Sequence, residues 1–183
     1  MSEELIIRHC SPTLAGMKTG SIFSCFCGSK EEITEYIRNI NQRLVPKGIR
    51  AVPLRFSKDR ALIYLYRPKK LRRDFSENGV RCILEGFGYC CDCPEKCVLR
   101  LMEKLGCEDA FPHEIGLFLG YPAEDVQGFI ENPKCCKCVG CWKVYGDELS
   151  AEKTFKKYKK CTSVYFKQWQ NGKSIEKLTV CAG

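Results

Sequence analysis

Two compact groups of cysteines are the part of this sequence best suited to chemistry. The chain has 183 residues and 15 cysteines. The strings YCCDCPEKC and KCCKCVGCW each contain the C-x-x-C spacing, with which one turn of chain presents two thiolates to one ion. The sequence therefore predicts a site for zinc or an iron–sulfur cluster. The candidate ligands are Cys138, Cys141, Cys135, Cys136, Cys90, Cys93 and Cys97.

The spacing leaves the arrangement of these ligands open. Cys135, Cys138 and Cys141 match the first three positions of a bacterial ferredoxin run, so a fourth ligand must come from elsewhere, with Cys90 or Cys93 as candidates. One shared site, two separate sites and reversible thiol exchange all fit the pattern. Cysteines that pack as small apolar side chains without a ligand fit it too.

A second candidate site lies near the amino terminus. Cys10 immediately precedes Ser11-Pro12, which is typical of a helix start, and a helix N-terminus lowers the pKa of a nearby thiol. His113, followed by Glu114, could act as its base with an orienting carboxylate. The alternative interpretation is an enzyme with Cys10 as nucleophile, although packing of Cys10 in the core is the more common outcome.

The positive charge is concentrated at the carboxyl end. Residues 150–183 contain eight lysines against Glu152 and Glu176, which is +6 of the formal net charge of +8. Aromatic residues between the lysines suggest a nucleic-acid binding surface. However, Phe155, Tyr158 and Thr162 fall on one helical stripe, which is more typical of core packing. A nucleic-acid partner is therefore left open but not favoured, as is a redox partner.

Composition restricts the class of protein. Hydrophobic residues make up 44% and charged residues 28%, as in globular proteins. No apolar run approaches the roughly 20 residues that span a bilayer, and the acidic start of the chain is unlike a signal peptide. The odd number of cysteines favours reduced thiols, so a cytoplasmic protein without membrane association is expected.

The candidate residues must be positioned by helices and strands. The sequence predicts that these form one helix-rich α+β domain over residues 1–183. A short helix over Ser2–Ile7, a second from Ser11 to about Phe26, and a third after Ser29 ending near Leu44 are expected. Alternating residues predict a β-hairpin at about 49–66 in a small antiparallel sheet. Prolines indicate helix starts at Pro94 and Pro122. A lysine-rich helix is expected over about 150–168, and a strand or extended segment over 175–180.

Three strings of this chain resemble one protein family. They are HCSPTLAGMKTGSIF, FPHEIGLFLGYPAEDVQGFIEN and CWKVYGD, in that order. Together they are similar to the uncharacterised bacterial domain-of-unknown-function family 3793, over about residues 5–180. The resemblance implies a single-domain cytosolic protein of anaerobic bacteria and assigns no catalytic residue. An anaerobic setting would favour an iron–sulfur or redox role over structural disulfides.

Overall fold

The polypeptide forms two compact units. The computed structural model describes residues 2–107 and 111–181. Unit 1 comprises residues 1–70 and 160–183, and unit 2 comprises residues 71–159. Helices combined with small antiparallel sheets confirm the predicted α+β class. The single domain over 1–183 stays a prediction.

A three-stranded antiparallel sheet is the centre of unit 1. Its strands are β1 (Gly20–Phe26), β2 (Arg50–Phe56) and β3 (Arg60–Tyr66), in the order β1-β3-β2. The hairpin predicted at about 49–66 is therefore confirmed. Pro53 lies on the edge strand β2, where its missing N–H group costs least, and the register shifts between Pro53 and Arg55.

The best-predicted helix of unit 1 is α2 (Lys30–Leu44). The Ser29 hydroxyl accepts a hydrogen bond from the backbone N–H of Glu32 at 3.1 Å, as the sequence predicts for a helix start. Its buried residues recur at helical spacing and join the core beside the sheet: Ile33, Ile37, Ile40 and Leu44. A 3-10 turn at Val45–Lys47 follows, and Gly48 closes it with φ at 77°.

The prediction for residues 2–26 is confirmed for a helix through Ile7 but wrong for the break after it and for a second helix reaching Phe26. A single helix, α1 (Glu3–Leu14), replaces the two predicted helices, and residues from Gly20 form strand β1 instead. Pro12 lies inside the last turn of α1, where Ser11 donates its hydroxyl to the Ile7 carbonyl. The apolar residues keep helical spacing across the proline and pack into the core, which outweighs the helix-start signal of Ser11-Pro12: Ile6, Ile7, Cys10 and Leu14.

The carboxyl end also differs from its prediction. The lysine-rich helix α8 (Glu148–Gln170) confirms the helix predicted over about 150–168 and contains one boundary between the units. The strand or extended segment expected over 175–180 is wrong in its first part. Ile175–Leu178 form a short helix, α9, because a three-residue spacing buries both end residues on one face.

A buried arginine connects three backbone segments of unit 1. Arg67 is only 4% exposed. Its guanidinium donates to the carbonyl oxygens of Thr13 and Leu14 at 2.7 Å each, and to that of Val180 at 2.8 Å. A cation is favourable at the C-terminus of α1, where the helix dipole places partial negative charge on the last carbonyls. Arg67 therefore fastens the end of α1 to the carboxyl-terminal segment.

Unit 2 consists mainly of short helices. They are α3 (Pro68–Phe75, which begins in unit 1), α4 (Asn78–Gly86), α5 (Pro94–Cys107), α6 (Ile115–Phe118) and α7 (Ala123–Glu131). The prolines Pro94 and Pro122 start or precede helices as predicted. A two-stranded sheet follows, with β4 (Cys138–Val139) antiparallel to β5 (Lys143–Val144). In its core, Phe118 packs edge-on against Phe75 and Tyr89. No described helix combines the length and apolarity needed to cross a membrane.

An ion-pair network joins three helices of unit 1 and makes its stability depend on pH. Arg43, on α2, pairs with Glu3 of α1 at 2.6 Å and with Glu176 of α9. The hydrogen bond from Arg43 lowers the pKa of Glu176 from its ordinary value of 4.5 to about 2, although burial opposes the shift. The pairing therefore stabilises the folded state fully above about pH 4.5, and this contribution disappears as the pH falls towards 2.

We expect Glu176→Gln to lower the free energy of unfolding at pH 7, because the variant loses one of the two charged partners of Arg43. The deficit relative to the native chain should shrink as the pH falls from 4.5 towards 2, measured by urea unfolding at a series of pH values. Glu35→Gln is the control, since the side chain of Glu35 is 56% exposed in its pair with Arg38. A deficit independent of pH would contradict the assignment.

Candidate functional site

A buried carboxylate lies beside a cavity in unit 2. Asp125, in the first turn of α7, is 3% exposed. Its Oδ1 accepts hydrogen bonds from the backbone N–H groups of Tyr145 and Gly146, at 2.7 and 2.8 Å. Its Oδ2 accepts one from the indole N–H of Trp142 at 2.7 Å. Three donors compensate the buried charge and hold the β4–β5 hairpin against α7.

Trp142 is fixed in place by its neighbours as well as by Asp125. Its ring stacks on Tyr121 with 4.8 Å between centroids and meets Phe155 edge-on at 4.6 Å. Gly140, in the turn before Trp142, lies so close to Phe155 that an added Cβ would come within 2.1 Å of that ring. The turn therefore requires glycine where Phe155, which packs edge-on against the indole, lies against it.

Beside Trp142 lies a cavity of about 370 Å³, which we call the aromatic pocket. Its rings are Phe111, His113, Tyr121, Phe129 and Trp142, and its aliphatic wall includes Ile115, Leu119 and Val126. Few polar groups line it, chiefly those of Asp125 and Lys143. Such a volume with a mostly apolar wall and a few placed polar groups is typical of small-molecule binding sites.

The sequence alone did not predict this pocket. Its lining residues come from 111–129 and 142–143, inside two of the strings that carry the family resemblance. A signal was present, because ring-bearing residues are dense in those strings. Their convergence depends on contacts between α7 and the hairpin that no local spacing reports.

The two residues predicted to assist a catalytic cysteine have different neighbours. His113 is exposed and packs edge-on against Phe129, with 4.9 Å between ring centroids. Glu114 is buried and pairs with Lys104 at 2.9 Å, while the Tyr89 hydroxyl donates to the same carboxylate oxygen at 2.9 Å. The described partners of Glu114 are thus Lys104 and Tyr89. The orienting role for Glu114 stays a prediction.

Cys10 does not lie at a helix start, so the argument for a lowered pKa was wrong. It is within α1, fully buried, and burial raises the pKa of its thiol to about 12, although Lys18 and a hydrogen bond with Ser21 act in the other direction. Cys10 belongs to unit 1 and His113 to unit 2. A nucleophilic role for Cys10 stays a prediction that this environment does not favour.

The first cysteine group is gathered around the start of α5. Cys93 directly precedes Pro94, the first residue of that helix, as predicted. The buried Cys97 thiol donates to the Cys90 carbonyl at 3.1 Å. Burial, reinforced by the three other cysteines of the segment, raises the pKa of Cys97 to about 12. The Cys97 thiol therefore lies close to the other thiols of this segment and is protonated at neutral pH.

The second group is more open. Cys135 and Cys141 are exposed, whereas Cys136 and Cys138 are half-buried. Desolvation, followed by the nearby Glu148, raises the pKa of Cys138. Within residues 2–107 and 111–181, no three His, Cys, Asp or Glu side chains are placed to hold one metal ion. The predicted zinc or iron–sulfur site thus stays a prediction without a preformed geometry.

The lysine-rich helix α8 presents its charges to solvent. The lysines at 153, 156, 157, 159, 160 and 167 are all exposed. Its aromatic residues pack inwards instead: Phe155 joins a buried cluster with Val144 and Ala151, and Trp169 packs against the core of unit 1. The expected core packing of Phe155 is confirmed. Nucleic-acid binding stays a prediction. Fewer aromatic rings are exposed for base stacking than the sequence suggested.

We expect iodoacetamide to leave Cys10 unlabelled in the folded protein from pH 6 to 9, because its thiol is buried and its pKa is raised to about 12. Mass spectrometry of tryptic peptides would show labelling of exposed Cys82 under the same conditions. Rapid modification of Cys10 below pH 8 would instead support the nucleophile hypothesis.

Comparison with known proteins identifies the family of this chain, but no individual protein that it matches. No curated protein and no solved structure matches the chain. A family model described as "Protein of unknown function (DUF3793)" matches residues 6–179, nearly the whole length. That span includes all three of the strings noted in the sequence. The chain therefore belongs to the DUF3793 family.

Proposed function

We propose that this protein binds a small, planar organic molecule in the aromatic pocket of unit 2. The observation that carries the proposal is the pocket itself, in which five ring side chains and an aliphatic wall surround about 370 Å³. Aromatic walls favour flat ligands, because rings stack face to face or edge to face and lose apolar surface to water together.

The rigidity of one wall supports this proposal. Asp125 holds the Trp142 indole through a hydrogen bond, and Tyr121 and Phe155 restrict it from two further directions. The Tyr121 hydroxyl in turn donates to the Cys141 carbonyl at 3.2 Å. A wall fixed before the ligand arrives reduces the entropy that binding must overcome, which favours affinity.

The probe for this proposal is the neutral dye N-phenyl-1-naphthylamine, whose fluorescence increases in an apolar site. We expect saturable binding to the native chain and about tenfold weaker binding to Phe129→Ala, since the variant loses a half-buried ring from the wall. Leu119→Trp, which fills the pocket from its half-exposed side, should also weaken binding.

Phe26→Ala is the matched control, because Phe26 is a 70% exposed phenylalanine outside the pocket. It should bind the dye as the native chain does. Thermal unfolding of each variant would show that the fold is kept. An absence of saturable binding, or equal loss in Phe26→Ala and Phe129→Ala, would contradict the proposal.

A second candidate function, thiol chemistry with zinc or iron, is favoured by the crowding of cysteines around Cys97. Three other sulfurs of the 90–97 segment lie near enough to raise the pKa of Cys97. Ion binding there requires these thiols to lose their protons and turn towards one point. The same proposal includes a cytoplasmic location, because thiols stay reduced in that compartment.

Metal analysis of the protein purified without oxygen tests this second candidate. If it holds, zinc or iron should approach one equivalent per site, and Cys93→Ser should lower the content while Cys82→Ser, at an exposed cysteine outside both groups, should not. Less than about 0.2 metal ions per chain would contradict a high-affinity site.

A further inference from the structure

One wall of the aromatic pocket carries a lysine with unused donors. Lys143 begins strand β5 and is half-buried. Its ammonium donates to the Pro133 carbonyl at 2.7 Å and lies 5.2 Å from the centroid of the Phe129 ring. An ammonium has three N–H groups, and the described residues supply an acceptor for one of them. The hydrogen bonds made by residues 2–107 and 111–181 leave the other two for a ligand.

The charge of Lys143 has no carboxylate to balance it in the described part of the pocket. The lining carboxylate is that of Asp125, which is 3% exposed and already accepts three N–H groups. No ion pair of Lys143 occurs among residues 2–107 and 111–181. A cation without a counter-ion beside an apolar wall attracts an anion, because the wall keeps water from screening the pair fully.

A second polar ring stands against the same phenylalanine. His113 meets the Phe129 ring edge-on, at 4.9 Å between centroids and 89° between planes, and it is exposed to solvent. An imidazole can donate a hydrogen bond to an anionic oxygen. Lys143 and His113 thus both lie against Phe129, and they add two hydrogen-bond donors to a mostly apolar pocket lining.

We propose that the ligand of this pocket is a planar aromatic anion, with a carboxylate, sulfonate or phosphate group that binds Lys143. This inference rests on the proposed function, because it defines the charge of the molecule that the same pocket receives. The ring of the ligand packs among Tyr121, Phe129 and Trp142. Its acidic oxygens accept the two remaining N–H groups of Lys143, and His113 donates at the rim.

Two dyes with one ring framework separate charge from shape. N-phenyl-1-naphthylamine is neutral, and 8-anilinonaphthalene-1-sulfonate is the same framework with a sulfonate. The native chain should bind the sulfonate at least about fivefold more tightly than the neutral dye, because charge-assisted hydrogen bonds form only with the anion. Lys143→Met should remove this preference and leave the affinity for the neutral dye within about twofold.

Lys137→Met is the matched control. Lys137 precedes the same hairpin and also donates to a backbone carbonyl, that of Gly146 at 2.7 Å, but it does not line the pocket. Lys137→Met should keep the preference for the anion. The inference is overturned if the native chain binds both dyes equally, if the preference survives Lys143→Met, or if that variant weakens both dyes alike. Failure of the neutral dye to bind the native chain would instead overturn the proposed function.

Discussion

The buried carboxylate of Asp125 is the interaction on which unit 2 most depends. Three N–H groups from beyond α7 converge on it, two from the backbone at Tyr145 and Gly146 and one from Trp142. Each donor would cost about 1–3 kcal/mol if it were buried without a partner. The carboxylate therefore does more than neutralise a helix end: it determines where the hairpin lies and, through Trp142, the shape of the aromatic pocket.

Unit 1 is stabilised by the opposite arrangement, in which a buried cation donates hydrogen bonds to carbonyl groups. Arg67 donates to the end of α1 and to Val180. Burial lowers the pKa of Arg67, but carbonyl oxygens at the C-terminus of a helix offset much of that cost. In both units a single buried charged side chain hydrogen-bonds to several backbone or indole groups of other segments. Substitution of Asp125 would remove the acceptor of three N–H groups at once. Substitution of Arg67 would remove the hydrogen bond to the Val180 carbonyl, while the carbonyls of Thr13 and Leu14 would keep backbone donors.

The cysteines divide by environment more than by spacing. Cys10, Cys25 and Cys27 are buried in the core of unit 1, where a thiol packs as a small apolar side chain. In unit 2, Cys97 is buried beside other thiols, whereas Cys135 and Cys141 are exposed. The cysteines of this chain therefore have two different environments. Some are buried and pack in the core, and the exposed thiols of the two groups remain available for chemistry.

Local interactions were sufficient to predict some elements from the sequence alone. Helix α2 follows from Ser29 and the spacing of Ile33 and Ile37, and the hairpin follows from alternation, because these signals act between residues a few positions apart. Only the tertiary structure decided that α1 continues through Pro12 and that residues 111–129 meet Trp142 to enclose a pocket. Those outcomes depend on burial against segments distant along the chain, whose approach no local pattern encodes.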